Sequence, residues 1–137
     1  LERCVAELEG GVRALAYASG QAATAGVLDL LDAGSHVIAP VDFYGGTRRL
    51  FHEVRRRVAG LDFSFVDMTD VANIAAAIRP ETRLIWVETP TNPLLRLVDL
   101  AAVAALGRAR GILTVVDNTF ATPCLQRPLE SGCDLVM

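Results

Sequence analysis

Asp117 closes the apolar run of "ILTVVDNTFATP", and an acid placed where a buried strand should end needs a partner. A metal, an arginine, helix N–H groups or a protonated nitrogen on a ligand could each compensate it. A metal centre lacks a second acid or histidine at ligand spacing, because His36 falls at a strand start and His52 on a helix. Three other stretches carry residue types suited to chemistry. In "YASGQAAT", Ser19 and Gly20 stand between an extended run and a helical one, where exposed N–H groups and the helix dipole favour a phosphate, or where Ser19 simply caps the helix. In "DFYGGT", Tyr44 precedes two glycines and can lie flat against a planar ligand with its hydroxyl free for proton transfer, or pack on the sheet as a turn residue. In "VETPTNPLLRLVD", two prolines stiffen the loop after Glu88, and Pro93 holds Asn92 extended.

Elements that would position these residues are read from periodicity. Apolar runs at 13–18, 36–41, 63–67, 83–88, 113–117 and 134–137 predict strands, and helical patterns cover 3–9, 21–31, 45–58, 70–78 and 100–110. Strands apolar on both faces and separated by helices imply βαβ units around a mainly parallel sheet, an α/β fold. Gly34, Gly60 and Gly111 punctuate helix ends. In an open sheet of this kind ligands bind beyond the carboxyl ends of the strands, which is where the four polar stretches fall.

Composition narrows the function. The 137 residues are 52% hydrophobic and 21% charged with a net charge of −3, so no basic footprint for nucleic acid or an anionic membrane is present. No stretch approaches the ~20 apolar residues of a membrane span. Cys4, Cys124 and Cys133 are odd in number and lack CxxC spacing, which predicts neither a disulfide framework nor a zinc site, and fits a reducing, cytoplasmic setting. The triplet Arg55, Arg56 and Arg57 spreads around a helix end and forms no stripe. Every one of the 13 basic residues is Arg, so chemistry requiring a primary amine side chain cannot be completed within these residues. A nucleotide-binding module without catalysis would show GxGxxG or GxxxxGK[ST] after the first strand, and neither occurs.

Taken in order, "LEGG", "ASGQAAT", "FYGGTRRLF", "VETPTNPLLRLVD" and "VVDNTFATPCLQRPLESGCDLVM" resemble the Cys/Met metabolism family of pyridoxal 5′-phosphate (PLP) enzymes, the cystathionine γ-lyase and γ-synthase group. The resemblance implies the fold type I large domain, truncated at both ends, with residues 1–137 forming part of the PLP-binding domain. It implies that the amides of Gly20 and Gln21, beside Ser19, hold the cofactor phosphate, that Tyr44 stacks on the pyridine, and that Asp117 pairs with the pyridinium nitrogen. Asn92 would lie near the phenolic oxygen, with Glu88 and Thr119 lining the floor. Related chains often carry Met or Leu where Gln21 stands, a difference that a backbone contact tolerates. By the same likeness the Schiff-base lysine, an N-terminal arm and a C-terminal domain lie outside this chain. The implied activity is trans-sulfuration of a small sulfur amino acid. Cystathionine γ-elimination is favoured, with γ-synthase or methionine γ-lyase-like activity as alternatives, in a homo-oligomer, a tetramer built from dimers that share active sites. A non-catalytic cofactor-domain module is a further alternative, since the lysine is missing.

Overall fold

The computed structural model describes residues 1–137. Five strands form one sheet: β1 (His36–Pro40), β2 (Asp62–Val66), β3 (Thr82–Glu88), β4 (Leu113–Asp117) and β5 (Leu135–Val136). Their order is β2-β1-β3-β4-β5, and every pairing is parallel. Parallel strands need helical crossovers, which cover both faces, and this is why the runs are apolar without alternation. One face carries Ile38, Ile85, Val87 and Val116 against Ile74, Leu100 and Val103. The other carries Val37, Ala39, Leu84, Trp86 and Val115 against Leu28 and Phe51.

The helices supplying those layers begin on side-chain caps. Ser19 caps α2 (Gly20–Leu28), Asp70 caps α5 (Val71–Ala77) and Asp99 caps α6 (Leu100–Arg110), each accepting a backbone N–H in the first turn. Asp70, expected inside its helix, therefore stands just before it. Helix α1 (Glu2–Glu9) stops at Gly10 and α6 at Gly111, both with φ in the left-handed region, 73° and 62°. The expected helix over 45–58 is continuous but not uniform: α3 (Gly45–Arg49) passes through a π-helical segment, Leu50–Arg55, into α4 (Arg56–Val58). That segment sends Phe51 into the core, its ring 4.9 Å from Phe63 and 5.4 Å from Trp86. Tiny α7 (Thr122–Leu125), which no periodicity announces, follows β4.

One expected strand does not exist. Residues 13–18 pair with nothing, and Leu15 and Tyr17 lie well exposed. The sheet runs from β2 to β5, and the run joins neither of these edge strands. Its nearest tie is the Ala16 N–H donating to Glu2 Oε1 at 2.7 Å. Apolar character suits a run to a buried strand, but hydrogen-bonded pairing with a neighbouring strand is required as well.

The topology also predicts where a ligand sits. From β1 the chain moves outward to β2, then returns to the opposite side of β1 for β3. Loops leaving β1 and β3 therefore diverge and open a crevice at their carboxyl ends. No helix is long and apolar enough to cross a membrane. The three cysteines are free, Cys4 and Cys124 exposed and Cys133 buried.

Candidate active site

A cleft of about 350 Å³ opens at that crevice. Ser19, Gly20, Gln21, Tyr44, Glu88, Asn92, Asp117 and Thr119, drawn from four separate loops, all line it. Thr47, Pro90, Phe120 and Met137 complete the wall, and the sequence reading missed them. Thr47 could have been suspected from its place in the first turn after "YGG". Met137 could not, since nothing local shows that β5 ends beside α2.

At the start of α2, Ser19 Oγ accepts the Ala22 N–H at 3.1 Å, so the hydroxyl does cap the helix. The N–H groups of Gly20 and Gln21 have no acceptor within the protein. Gln21 Nε2 donates to Thr47 Oγ1 at 3.0 Å, so the side-chain amide of this cleft residue is already engaged. Across from it, the half-exposed Tyr44 ring lies over Gly46: a Cβ there would come 2.5 Å from Tyr44 Cε1. The second glycine of "YGG" is thus the seat of the tyrosine ring.

The floor is acidic. Asp117 is 6% exposed, and its Oδ1 accepts both the Thr119 N–H at 3.1 Å and the Thr119 hydroxyl at 2.5 Å. Its Oδ2 receives no donor from the protein, yet is not sealed from the cleft. Burial pushes the Asp117 carboxyl above the usual range, and the two Thr119 bonds oppose the shift. Glu88, register partner of Asp117 on the adjacent strand, is equally buried. Its carboxyl is pushed up to about 7 by burial, with Asp117 and Asp42 adding like-charge repulsion against the bonds from the Tyr44 and Asn92 amides. No Lys, Arg or His lines the cleft to compensate either acid. Of the partners open to Asp117 at the outset, no arginine lines the cleft, no helix N–H donates to the carboxylate, and no group of three or more His, Cys, Asp or Glu side chains converges for a metal.

His36 lies elsewhere. Its ring is bonded on both sides, to Thr82 Oγ1 at 2.8 Å and Ser64 Oγ at 2.9 Å, and its pKa is lowered chiefly by burial. That is a structural histidine.

An acidic floor with an unspent carboxylate oxygen, facing a rim of unspent amides, suits a ligand carrying a protonated nitrogen at one end and an anion at the other. Fold and cleft together define an open parallel α/β protein with a small-molecule site at the topological switch point. The chain belongs to the Cys/Met metabolism PLP-dependent enzyme family, whose model matches residues 1–137. It is 54% identical over 135 residues to a cystathionine beta-lyase of Coxiella burnetii, covering 98% of this chain and 35% of that protein. It is 51% identical to a probable cystathionine gamma-synthase of Herpetosiphon aurantiacus, covering all of this chain and 43% of that one. A cystathionine gamma-lyase of Macaca fascicularis is 49% identical, with 100% of this chain and 34% of that protein covered. Among solved structures, the cystathionine gamma-lyase from Lactobacillus plantarum complexed with L-serine superposes with a TM-score of 0.97 at 47% identity, over 98% of this chain and 35% of that one. The chain thus spans between about a third and two fifths of the length of these relatives. The relatives are PLP-dependent lyases and synthases of cystathionine metabolism, and the fold matches theirs.

Proposed function

We propose that residues 1–137 form the cofactor-binding part of a PLP-dependent enzyme that cleaves a C–S bond of a sulfur amino acid such as cystathionine. The observation that carries this reading is the pair of buried acids with no basic side chain beside them. Asp117 Oδ2 has a lone pair unspent in a poorly hydrated site, which a protonated ring nitrogen would satisfy. Thr119 holds Oδ1 and so aims Oδ2 into the cleft. The free N–H groups of Gly20 and Gln21, with the capped start of α2 behind them, would hold the phosphate. Tyr44 would cover the ring face, and Asn92 would present its amide to the phenolic oxygen. When bound, PLP supplies an electron sink for the carbanions formed as protons leave the substrate carbon chain. Asp117 contributes by keeping its charge against the ring nitrogen, and the walls contributed by Tyr44, Pro90 and Phe120 exclude water. Proton transfer to or from a substrate is open to the Tyr44 hydroxyl. An amine for covalent attachment is not among these residues, and in this reading it comes from elsewhere in the protein, as do the groups that hold the substrate carboxylate.

Between activities, we favour γ-elimination of cystathionine, giving cysteine, 2-oxobutanoate and ammonia. The likeness to the gamma-lyase structure supports it. The 54% identity to a beta-lyase supports β-elimination as the second reading. Incubating the full-length protein with PLP and cystathionine separates them: 2-oxobutanoate marks γ-elimination, pyruvate marks β-elimination, and neither product with a cofactor-loaded protein would overturn lyase activity. Exposed Leu8, Leu15 and Tyr17 near the start of the chain support a homo-oligomer, a tetramer of site-sharing dimers in this reading.

A further inference from the structure

Two loops rim the cleft, one after β1 carrying Asp42 and Tyr44, the other after β3 carrying Thr91 and Asn92. Apolar burial does not hold the second loop down, because Leu94, Leu95 and Leu97 are 59%, 61% and 69% exposed. What ties it is a crossed pair of carboxylates. Asp42 Oδ2, on the first loop, accepts the Thr91 hydroxyl at 2.5 Å and the Leu94 N–H at 3.2 Å of the second. Glu88, at the root of the second loop, accepts the Tyr44 N–H of the first at 3.1 and 3.0 Å, and the Asn92 N–H at 2.8 Å. Each loop is thus gripped by the other's acid. Thr91 passes the grip onward, since its carbonyl accepts the Leu95 N–H at 2.9 Å and its hydroxyl the Arg96 N–H at 2.9 Å, making 91–96 a small closed unit. On its far side Arg96 pairs with Asp67 at 3.0 Å.

We propose that Asp42 and Glu88 form a reciprocal clasp that sets the separation of Tyr44 and Asn92 across the cleft, making Asp42, which lines no part of that cleft, a positioning residue for the bound ring. The proposal rests on the PLP reading above. Bonds to charged acceptors are among the stronger ones, and the two that Asp42 makes span separate loops, so their loss frees Thr91 and Asn92 to move relative to Tyr44.

The test uses the full-length protein with Asp42→Ala, Thr91→Val and Thr91→Ser. With PLP as the probe, the first two are expected to raise the dissociation constant roughly tenfold and to change the visible circular dichroism of the saturated cofactor, because its ring is held differently. The double variant D42A/T91V should lose less than the two single losses added together, since both remove the Asp42–Thr91 bond while each also frees one amide of its own, Leu94 in D42A and Arg96 in T91V, and Thr91→Ser, which keeps the hydroxyl, should behave as wild type. Hydrogen exchange in the cofactor-free protein should speed up at the amides of Asn92 and Leu94 in D42A. Asp42 is only half-buried, so D42A tests the clasp without relying on the buried Thr91. Wild-type dichroism, affinity and exchange in D42A would overturn the clasp while leaving the cofactor reading intact. A wild-type protein that takes up no PLP would overturn the cofactor reading itself, and this role with it.

Discussion

Glu88 on β3 and Asp117 on β4 are register partners in a parallel pair, so their carboxyl groups leave adjacent strands on the same face of the sheet. Both are buried, and no basic side chain lines the cleft they share. Glu88 spends its oxygens on two backbone amides, whereas Asp117 keeps Oδ2 unspent. Two neighbouring acids thus differ: one is bonded to the amides of two loops, the other keeps an oxygen without a protein donor.

The Glu88 shift has a consequence for stability. Its folded pKa of about 7 lies above the 4.5 of a free glutamate, so the folded state binds the proton more tightly. Its ionisation therefore weighs against folding, and its contribution declines as pH rises from about 4.5 and levels off above about 7, a loss on the order of 3 kcal/mol. In the cofactor-free full-length protein, denaturant unfolding of wild type minus Glu88→Gln should trace that decline across the window. A pH-independent difference would show that folding leaves the Glu88 carboxyl at its free value.

Asp117→Asn preserves the Thr119 turn, because an amide oxygen still accepts both Thr119 donors, but it removes the charge. PLP should still bind, with turnover on cystathionine falling by ~10²–10³, the usual scale for losing one electrostatic stabiliser. Near-normal kcat at full cofactor occupancy would return Asp117 to a turn residue.

Gly46→Ala places a methyl 2.5 Å from the Tyr44 ring, at a position with no left-handed backbone requirement. The ring must rotate while the helix is undisturbed, so PLP affinity should drop roughly tenfold without a lower melting temperature, alanine being the better helix former. A lower melting temperature with unchanged affinity would place the effect in packing instead.

Gln21→Leu separates backbone from side-chain recognition. The bond to Thr47 is lost, at a cost of about 1 kcal/mol, while the Gly20 and Gln21 amides stay in place. PLP affinity should change by no more than a few fold. A loss near a hundredfold would mean that the glutamine side chain itself holds the phosphate.

Much of the site was legible because its residues obey local rules. Ser19 caps a helix it directly precedes, Gly46 is required by the tyrosine two residues before it, and Asp117 ends a run whose burial the apolar composition announces. The eight expected site residues come together in one cleft because each stands at the carboxyl end of a strand or the start of a helix, and parallel strands collect those ends on one edge. The strand expected at 13–18 shows the limit of local rules. Its composition matches that of a true strand, yet it pairs with neither edge of the sheet, and pairing is settled outside the run itself.

By itself, then, the sequence determined the α/β class, the strands apolar on both faces, the polar loops that end them and the absence of any amine side chain. These follow from residue type and from periods of two to four residues, which physical chemistry reads locally. Only the tertiary structure decided that β1 lies between β2 and β3, that Glu88 stands beside Asp117, that Asp42 grips Thr91, and that Thr47 and Met137 close the cleft. Asp42 and Thr91 are forty-nine positions apart, Glu88 and Tyr44 forty-four. Contacts at such separations depend on strand order and register, which are settled by the whole buried core acting together, and no short stretch of residues carries that information.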